Sequence, residues 1–400
     1  MSNRVRRFAA ALTAALFAGL LVPGPANAAT TYQIDVGQEF SDVPGFSTRF
    51  YPGSIKVMTG DTIEFTPGFV GLGPQGAYPQ EIFGGMNHVG TPGFFFLADP
   101  DDGEKALKFD LEQFFFMGHD CGSADNPCIW NDNSDVIFPM VGDDGKAFVR
   151  VDAPAGTTLW GASFQSPDAN VNLKVEVVAN AADASTQEQL DARGARLRAK
   201  DLEDARALHN RMNTRKTWHL NAAGRRVYDV FVGAAAGPIE LFASYPGRTS
   251  IKKGQRVQFH FMDQMEPHTA TFGGAKAREV FNNFIVPACD PDTDAGTTAD
   301  LDPIGFDEVT GLPTCPEATD LEADLHDKLA WTEGDHRVRR NSDYESSGLQ
   351  FPHFPEGGTF DDVNDDPWTV RFPNASNRKG FKFICLVHGG FMGGRVKVND

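Results

Sequence analysis

One fifteen-residue pattern occurs twice in this chain without a gap: Tyr51-Pro52-Gly53-Ser-Ile-Lys-Val-Met-Thr-Gly60-Asp-Thr-Ile-Glu-Phe65, and Tyr245-Pro246-Gly247-Arg-Thr-Ser-Ile-Lys-Lys-Gly254-Gln-Arg-Val-Gln-Phe259. In each copy apolar residues alternate on both sides of a central glycine, which reads as strand, turn, strand. Self-similarity of this kind means that one fold unit is built twice. With a leader removed, about 370 residues remain, room for two or three domains of ordinary size. The expectation is an all-β chain of two tandem Greek-key β-sandwiches, over 29–180 and 226–400, joined by a helical linker over 181–225.

The linker has its own signals. Ser185-Thr-Gln-Glu188 has the pattern of a capping box, and Leu190, Leu197, Ala205, Leu208 and Met212 fall on one helical face. Gly194 interrupts that face, and the other faces are dense in Arg, Asp and Glu. The spacing predicts a mostly helical segment over 185–213 that lays one stripe against a domain.

The start of the chain reads as an export signal. Arg4, Arg6 and Arg7 precede an apolar run from Phe8 to Val22, and Ala26-Asn27-Ala28 offers small residues for cleavage. A signal peptide over 1–28 and a secreted or periplasmic protein follow. No later apolar run reaches the ~20 residues that cross a bilayer, so no transmembrane anchor is expected. The net charge of −18 falls to −21 once those three arginines are lost. Such a surface is a poor partner for nucleic acid or anionic lipid, and would steer a positively charged protein toward it.

The residues with most chemistry lie at the other end. Phe383-Ile-Cys385-Leu-Val-His388-Gly-Gly-Phe-Met392 puts a thiolate, an imidazole and a thioether within eight residues, on a loop between two strand-like runs. These are the soft donors of an electron-transfer copper site, which needs one further imidazole. Pro267-His268-Thr-Ala-Thr271-Phe272 supplies it where a loop becomes a strand. The candidate metal ligands are therefore His268, Cys385, His388 and Met392. Taken singly, each reads as well as a core or surface residue. Together, at ligand spacing, they read as a metal site. Zinc also takes Cys and His; the thioether favours copper.

Those two segments resemble the plastocyanin/azurin family of cupredoxins, the blue copper proteins. Pro267-His268-Thr-Ala-Thr-Phe is similar to the strand of the first ligand, and Cys385-x2-His388-x3-Met392 to the loop of the other three. The resemblance covers about the last third of the chain, in two pieces. It implies two cupredoxin-like domains, of which the C-terminal one holds one type 1 copper ion, and an outward-looking His388 as the route of the electron. A long acidic insertion, over about 275–367, separates the ligand segments.

Cysteine usage fits. Cys121 and Cys128 bracket one short loop, Cys289 and Cys315 a longer one, and Cys385 is left over. Two local disulfides are expected from proximity, with other connectivities open. In the insertion, residues 290–335 carry fourteen Asp or Glu and one Lys. Asp290-x-Asp292-x-Asp294 invites a calcium reading, but Ala295 and Leu301 stand where an EF-hand loop has Gly and Glu. A looser calcium site stays open beside a solvated acidic face.

The first copy keeps none of the donors. Counting forward from its repeat puts Pro74 at the place of His268, and residues 158–177 contain no Cys, His or Met. His88 and His119 lie in its Gly- and Phe-rich middle, where surface histidines are the simpler reading. The His-x-His pairs of a catalytic copper cluster are missing throughout, so the expectation is not an enzyme but an electron carrier with an unidentified redox partner. The alternative is an extracellular copper-binding, copper-delivery or structural cell-envelope protein.

Overall fold

The structure, a computed structural model, describes residues 29–67, 95–98, 118–121, 123–131, 138–140, 146–163, 173–262, 268–277, 335–348, 350, 367–386 and 389–400. It is mostly β-strand with one long helix, in keeping with the all-β expectation. The N-terminal half holds β1 (Thr31–Glu39), β2 (Gly45–Tyr51), β3 (Ser54–Met58), β4 (Thr62–Pro67), β5 (Phe95–Ala98), β6 (Gly118–Asp120), β7 (Cys128–Trp130), β8 (Phe138–Met140), β9 (Ala147–Val151), β10 (Thr158–Ser163) and β11 (Leu173–Val178). Helix α1 (Gln187–Thr214) follows. The C-terminal half holds β12 (Trp218–Leu220), β13 (Arg226–Ala236), β14 (Ile239–Tyr245), β15 (Arg248–Lys252), β16 (Arg256–Phe261), β17 (Thr271–Phe272), β18 (Glu345–Ser346), β19 (Trp368–Arg371), β20 (Phe381–Cys385) and β21 (Gly389–Asn399).

The repeat is carried through to the pairing of strands. β1 pairs antiparallel with β2 and parallel with β4, and β13 does the same with β14 and β16. Each first strand is bulged at a glycine of positive φ, Gly37 and Gly233. β3 runs parallel to β11, and β15 parallel to β21. The turn inside the repeat is the same device twice. Asp61 Oδ2 accepts the Met58 N–H at 2.7 Å, and Gln255 Oε1 accepts the Lys252 N–H at 2.6 Å. Between them Gly60 and Gly254 sit at φ 92° and 84°, a conformation that L side chains avoid.

The two halves join edge to edge. Among the described residues the largest sheet has ten strands, in the order β19-β16-β13-β14-β2-β1-β4-β9-β7 with β12 beside β13. Its centre is the antiparallel pair β14–β2, with Ile239 opposite Ser47, Glu240 opposite Phe46 and Leu241 opposite Gly45. Reading outward in either direction from that seam meets the repeat's strands in the same sequence. Each half thus covers the other's open edge, which would otherwise present unpaired N–H and C=O groups. Gly45 is needed there, because a Cβ would lie 2.0 Å from the Glu240 carbonyl oxygen.

Helix α1 crosses the seam. Its cap is Thr186 with Gln189, one residue past the expected Ser185 and Glu188, and both halves of the capping box are formed. Gly194 does not break the helix: it lies against the main chain of Tyr51, where a Cβ would sit 3.4 Å from the Tyr51 carbonyl. Leu190 joins the core of the first half, while Ala205, Leu208 and Met212 pack with Phe40 and Val43 of that half and Phe231, Leu241 and Tyr245 of the second. The stripe foreseen against one domain touches both.

Two tyrosines that are equivalent in the repeat anchor the helix. Tyr51 donates to Asp201 Oδ2 at 2.6 Å, and the same fully buried carboxylate accepts from Ser47 Oγ and Arg49 Nε, each at 3.0 Å. Tyr245 lies 2.8 Å from His209 Nδ1. Burial pushes the pKa of both phenols well above the ordinary tyrosine range, at Tyr51 with help from the Asp201 charge.

Asp201→Ala takes the acceptor from two buried hydroxyls and an ion-pair partner from the half-buried Arg49, and is expected to cost about 3–5 kcal/mol in denaturant unfolding. The tyrosines predict a pH dependence. Above pH ~10 the folded chain keeps phenol protons that the unfolded chain has released, so stability falls as pH rises through that window. The double variant Tyr51→Phe, Tyr245→Phe should flatten the alkaline limb, and an unchanged limb refutes the assignment.

Candidate metal centre

The register of the second half brings three of the four sequence-predicted ligands to one end of its core. β17 pairs with β20, Thr271 opposite Ile384 and Phe272 opposite Phe383, so the chain just before β17 runs beside the end of β20. His268 and Cys385 are both fully buried, and the Thr269 N–H points at Cys385 Sγ with N···S 3.4 Å. Met392 is fully buried too, in the same core cluster as Cys385. Its carbonyl accepts from Ser244 Oγ at 3.3 Å, and the His268 ring stands edge-on to Phe242, with centroids 6.1 Å apart. Phe242 and Ser244 are alternate residues of β14, hence on one face of that strand. His268 and Met392 therefore both meet that face.

His388 lies outside the described residues, although the Cys385–Gly389 pair that brackets it is formed. Among the described residues no three His, Cys, Asp or Glu side chains gather as a metal cluster. Of the four candidate ligands, His268 and Cys385 are the only described ones of those types.

A polar lattice holds His268 and Cys385 in register. His268 forms a two-way main-chain bridge with Gln350, at 3.0 and 2.8 Å. Thr269 Oγ1 accepts the Leu386 N–H at 2.7 Å and lies 3.0 Å from Thr271 Oγ1, which lies 2.8 Å from Ser346 Oγ. Ser347 Oγ accepts the Ala270 N–H at 2.9 Å. Apart from the half-buried Gln350 these groups are buried, and each supplies a partner that the low-polarity core would otherwise deny. Below them is an aromatic layer. Phe383, two residues before Cys385, packs against Phe259 and Phe272 with centroids 5.1 and 5.5 Å apart. Trp368 closes on Phe259 at 5.4 Å. Close-packed rings of this kind resist displacement of the strand that carries the cysteine.

The donor set fits a soft metal ion. A buried thiol with an N–H aimed at its sulfur is prepared to carry negative charge, since that hydrogen bond strengthens when the sulfur becomes a thiolate. The buried imidazole of His268 and the buried thioether of Met392, in the same core cluster as Cys385, are donor types that suit copper better than hard cations. The first half lacks this at the corresponding position. Ser54 pairs with Lys174, which pairs with Trp160; Arg248 pairs with Arg395, which pairs with Lys382. Three residues on from Trp160 and Lys382 stand Ser163 and Cys385.

Other sequence expectations fall as follows. The Cys121–Cys128 disulfide is formed, with Cα atoms 5.0 Å apart, and Cys385 forms no disulfide. Cys289, Cys315, Pro74, His88 and the acidic run with its calcium reading lie outside the described residues. His119 falls on β6. Two histidines that looked scattered share a carboxylate: His219 Nδ1 and His260 Nε2 each lie 3.0 Å from Asp229 Oδ1. No spacing rule links residues 219, 229 and 260, which meet only because β12 and β16 both pair with β13. Thr269 was likewise unmarked, because a main-chain N–H has no sequence signature. Known protein families, characterised proteins and solved structures return no match to this chain.

Thr269→Val keeps the shape of the side chain while depriving the buried Leu386 N–H of its acceptor. At ~1–3 kcal/mol for such a loss, local opening at the end of β20 becomes roughly 5–160 times more frequent. The rate at which a thiol reagent modifies Cys385 in the metal-free protein should rise by that factor. An unchanged rate means that the hydroxyl does not hold the strand end shut.

Proposed function

We propose that this chain is an exported type 1 copper protein that carries one electron at a time, with His268, Cys385, His388 and Met392 as ligands. The observation that carries the reading is the Thr269 N–H directed at the sulfur of a fully buried Cys385 that forms no disulfide, next to a fully buried His268. Core cysteines without a metal are packed as small apolar groups and need no donor. We read each half as a cupredoxin-like Greek-key sandwich, the parallel pairing of first with fourth strand in both halves supporting that topology. The first half then acts as scaffold or docking module.

Copper, when bound, would supply a one-electron couple between its two common oxidation states. The chain's own part is to hold the donors still. Thr269 stabilises negative charge on Cys385, the Gln350 bridge fixes the backbone of His268, and the Phe259, Phe272 and Phe383 rings keep β20 in place. Ligands fixed through both redox states are what an electron carrier requires. Export would follow from the leader read in residues 1–28, and no helix among the described residues is long and apolar enough to cross a membrane. The negative surface favours a basic redox partner.

Loaded with Cu(II), the purified chain should show an intense absorption band in the red that is lost in Cys385→Ser while the fold, judged by circular dichroism, is kept. A colourless protein that still binds metal would sink the carrier reading in favour of zinc or a structural role. Rapid release of copper to a chelator would select delivery instead.

A further inference from the structure

Strand β14 has a charged residue where its neighbours leave no room for one. Ile239, Leu241 and Tyr245 face the helix and its core, while Phe242 faces the core of the second half. Glu240 shares the Phe242 face by the two-residue period of a strand. Its partner across the seam agrees, since Phe46 belongs to that same core and its ring packs against Phe242 at 5.3 Å. Glu240 is fully buried, and neither carboxylate oxygen has a hydrogen-bond partner. No other carboxylate among the described residues combines full burial with two unpartnered oxygens.

A carboxylate in such a place is costly unless something positive answers it. The row it belongs to says what that is. Glu240, Phe242 and Ser244 are successive residues on one face of β14, and the next two meet the His268 ring and the Met392 main chain. Resting on the copper reading above, we propose that Glu240 is the buried counter-charge of the metal site. A divalent ion with one thiolate leaves a net positive charge in a core that screens poorly. Glu240 offsets that charge, and does so more strongly for Cu(II) than for Cu(I). The residue thus biases the couple toward the oxidised state and the site toward divalent ions.

The test compares wild type, Glu240→Gln and Glu240→Asp by thermal melting with and without copper and by the reduction potential of the loaded protein. In the metal-free state Glu240→Gln is expected to melt at or above wild type, because it removes a charge that lacks a partner. Loaded with Cu(II), it should gain less from the metal than wild type does. Its preference for Cu(II) over Cu(I) should fall on the order of tenfold, a potential higher by about 59 mV for one electron. Glu240→Asp keeps the charge and should stay near wild type in potential. A metal-free Glu240→Gln that melts well below wild type, with an unchanged potential once loaded, makes Glu240 a structural residue and overturns the proposal. A wild-type protein that takes up no copper overturns the underlying site instead, and the two failures are told apart by the wild-type melt alone.

Discussion

The pairing of β2 with β14 is the contact on which the rest of the molecule turns. Two copies of one strand arrangement each have an open edge of the same kind, and an antiparallel ladder lets the two edges satisfy each other. The ladder works only because Gly45 allows the Glu240 carbonyl to come within 2.0 Å of where a Cβ would be. With the seam fixed, α1 has a continuous surface to lie on, and its buried Asp201 and its His209 meet Tyr51 and Tyr245, the first residue of each repeat. The helix therefore reads the duplication directly. A twofold scaffold presents the same side chain twice, eight residues of helix apart.

The duplication was legible because its turn depends on local chemistry. Gly60 and Gly254 provide the positive φ, Asp61 and Gln255 hold the turn, and apolar alternation on either side marks the buried face. Contacts between elements distant in sequence left no such mark. Nothing in the sequence marks Glu240 or Asp201, one in a strand and one on a helix whose other faces are charged anyway, yet both are fully buried. Gly194 read as an interruption of the helical face, because propensity speaks for exposed helices. Its actual neighbour is the Tyr51 main chain, and close packing against a strand outweighs the loss of helix propensity.

The candidate site divides along the same line. Cys385, His388 and Met392 stand close in sequence, and a nearby set of soft donors is visible without any structure. His268 could be added because a proline and an alternating run place it at a strand end. The groups that hold this set in place were beyond reach, since Thr269 acts through its main chain and hydroxyl, and Ser346, Ser347 and Gln350 arrive from beyond a long intervening segment. They are hydrogen-bonding residues of common type, and only the register of β17 against β18 and β20 gives them a role.

The two halves differ where it matters for chemistry and agree where it matters for shape. Ser163 stands at the position of Cys385, while the bulge, the turn and the tyrosine are kept in both. Retaining the first half is understandable on physical grounds, because β14, the strand that faces His268 and Met392, has β2 as its neighbour across the seam. Without that neighbour β14 would be an edge strand, free to fray or to pair with another chain. Phe242 and Ser244 would lose their fixed positions, and with them the wall of the site. The first half thus contributes to the candidate site in the other half by supporting the strand that faces His268 and Met392.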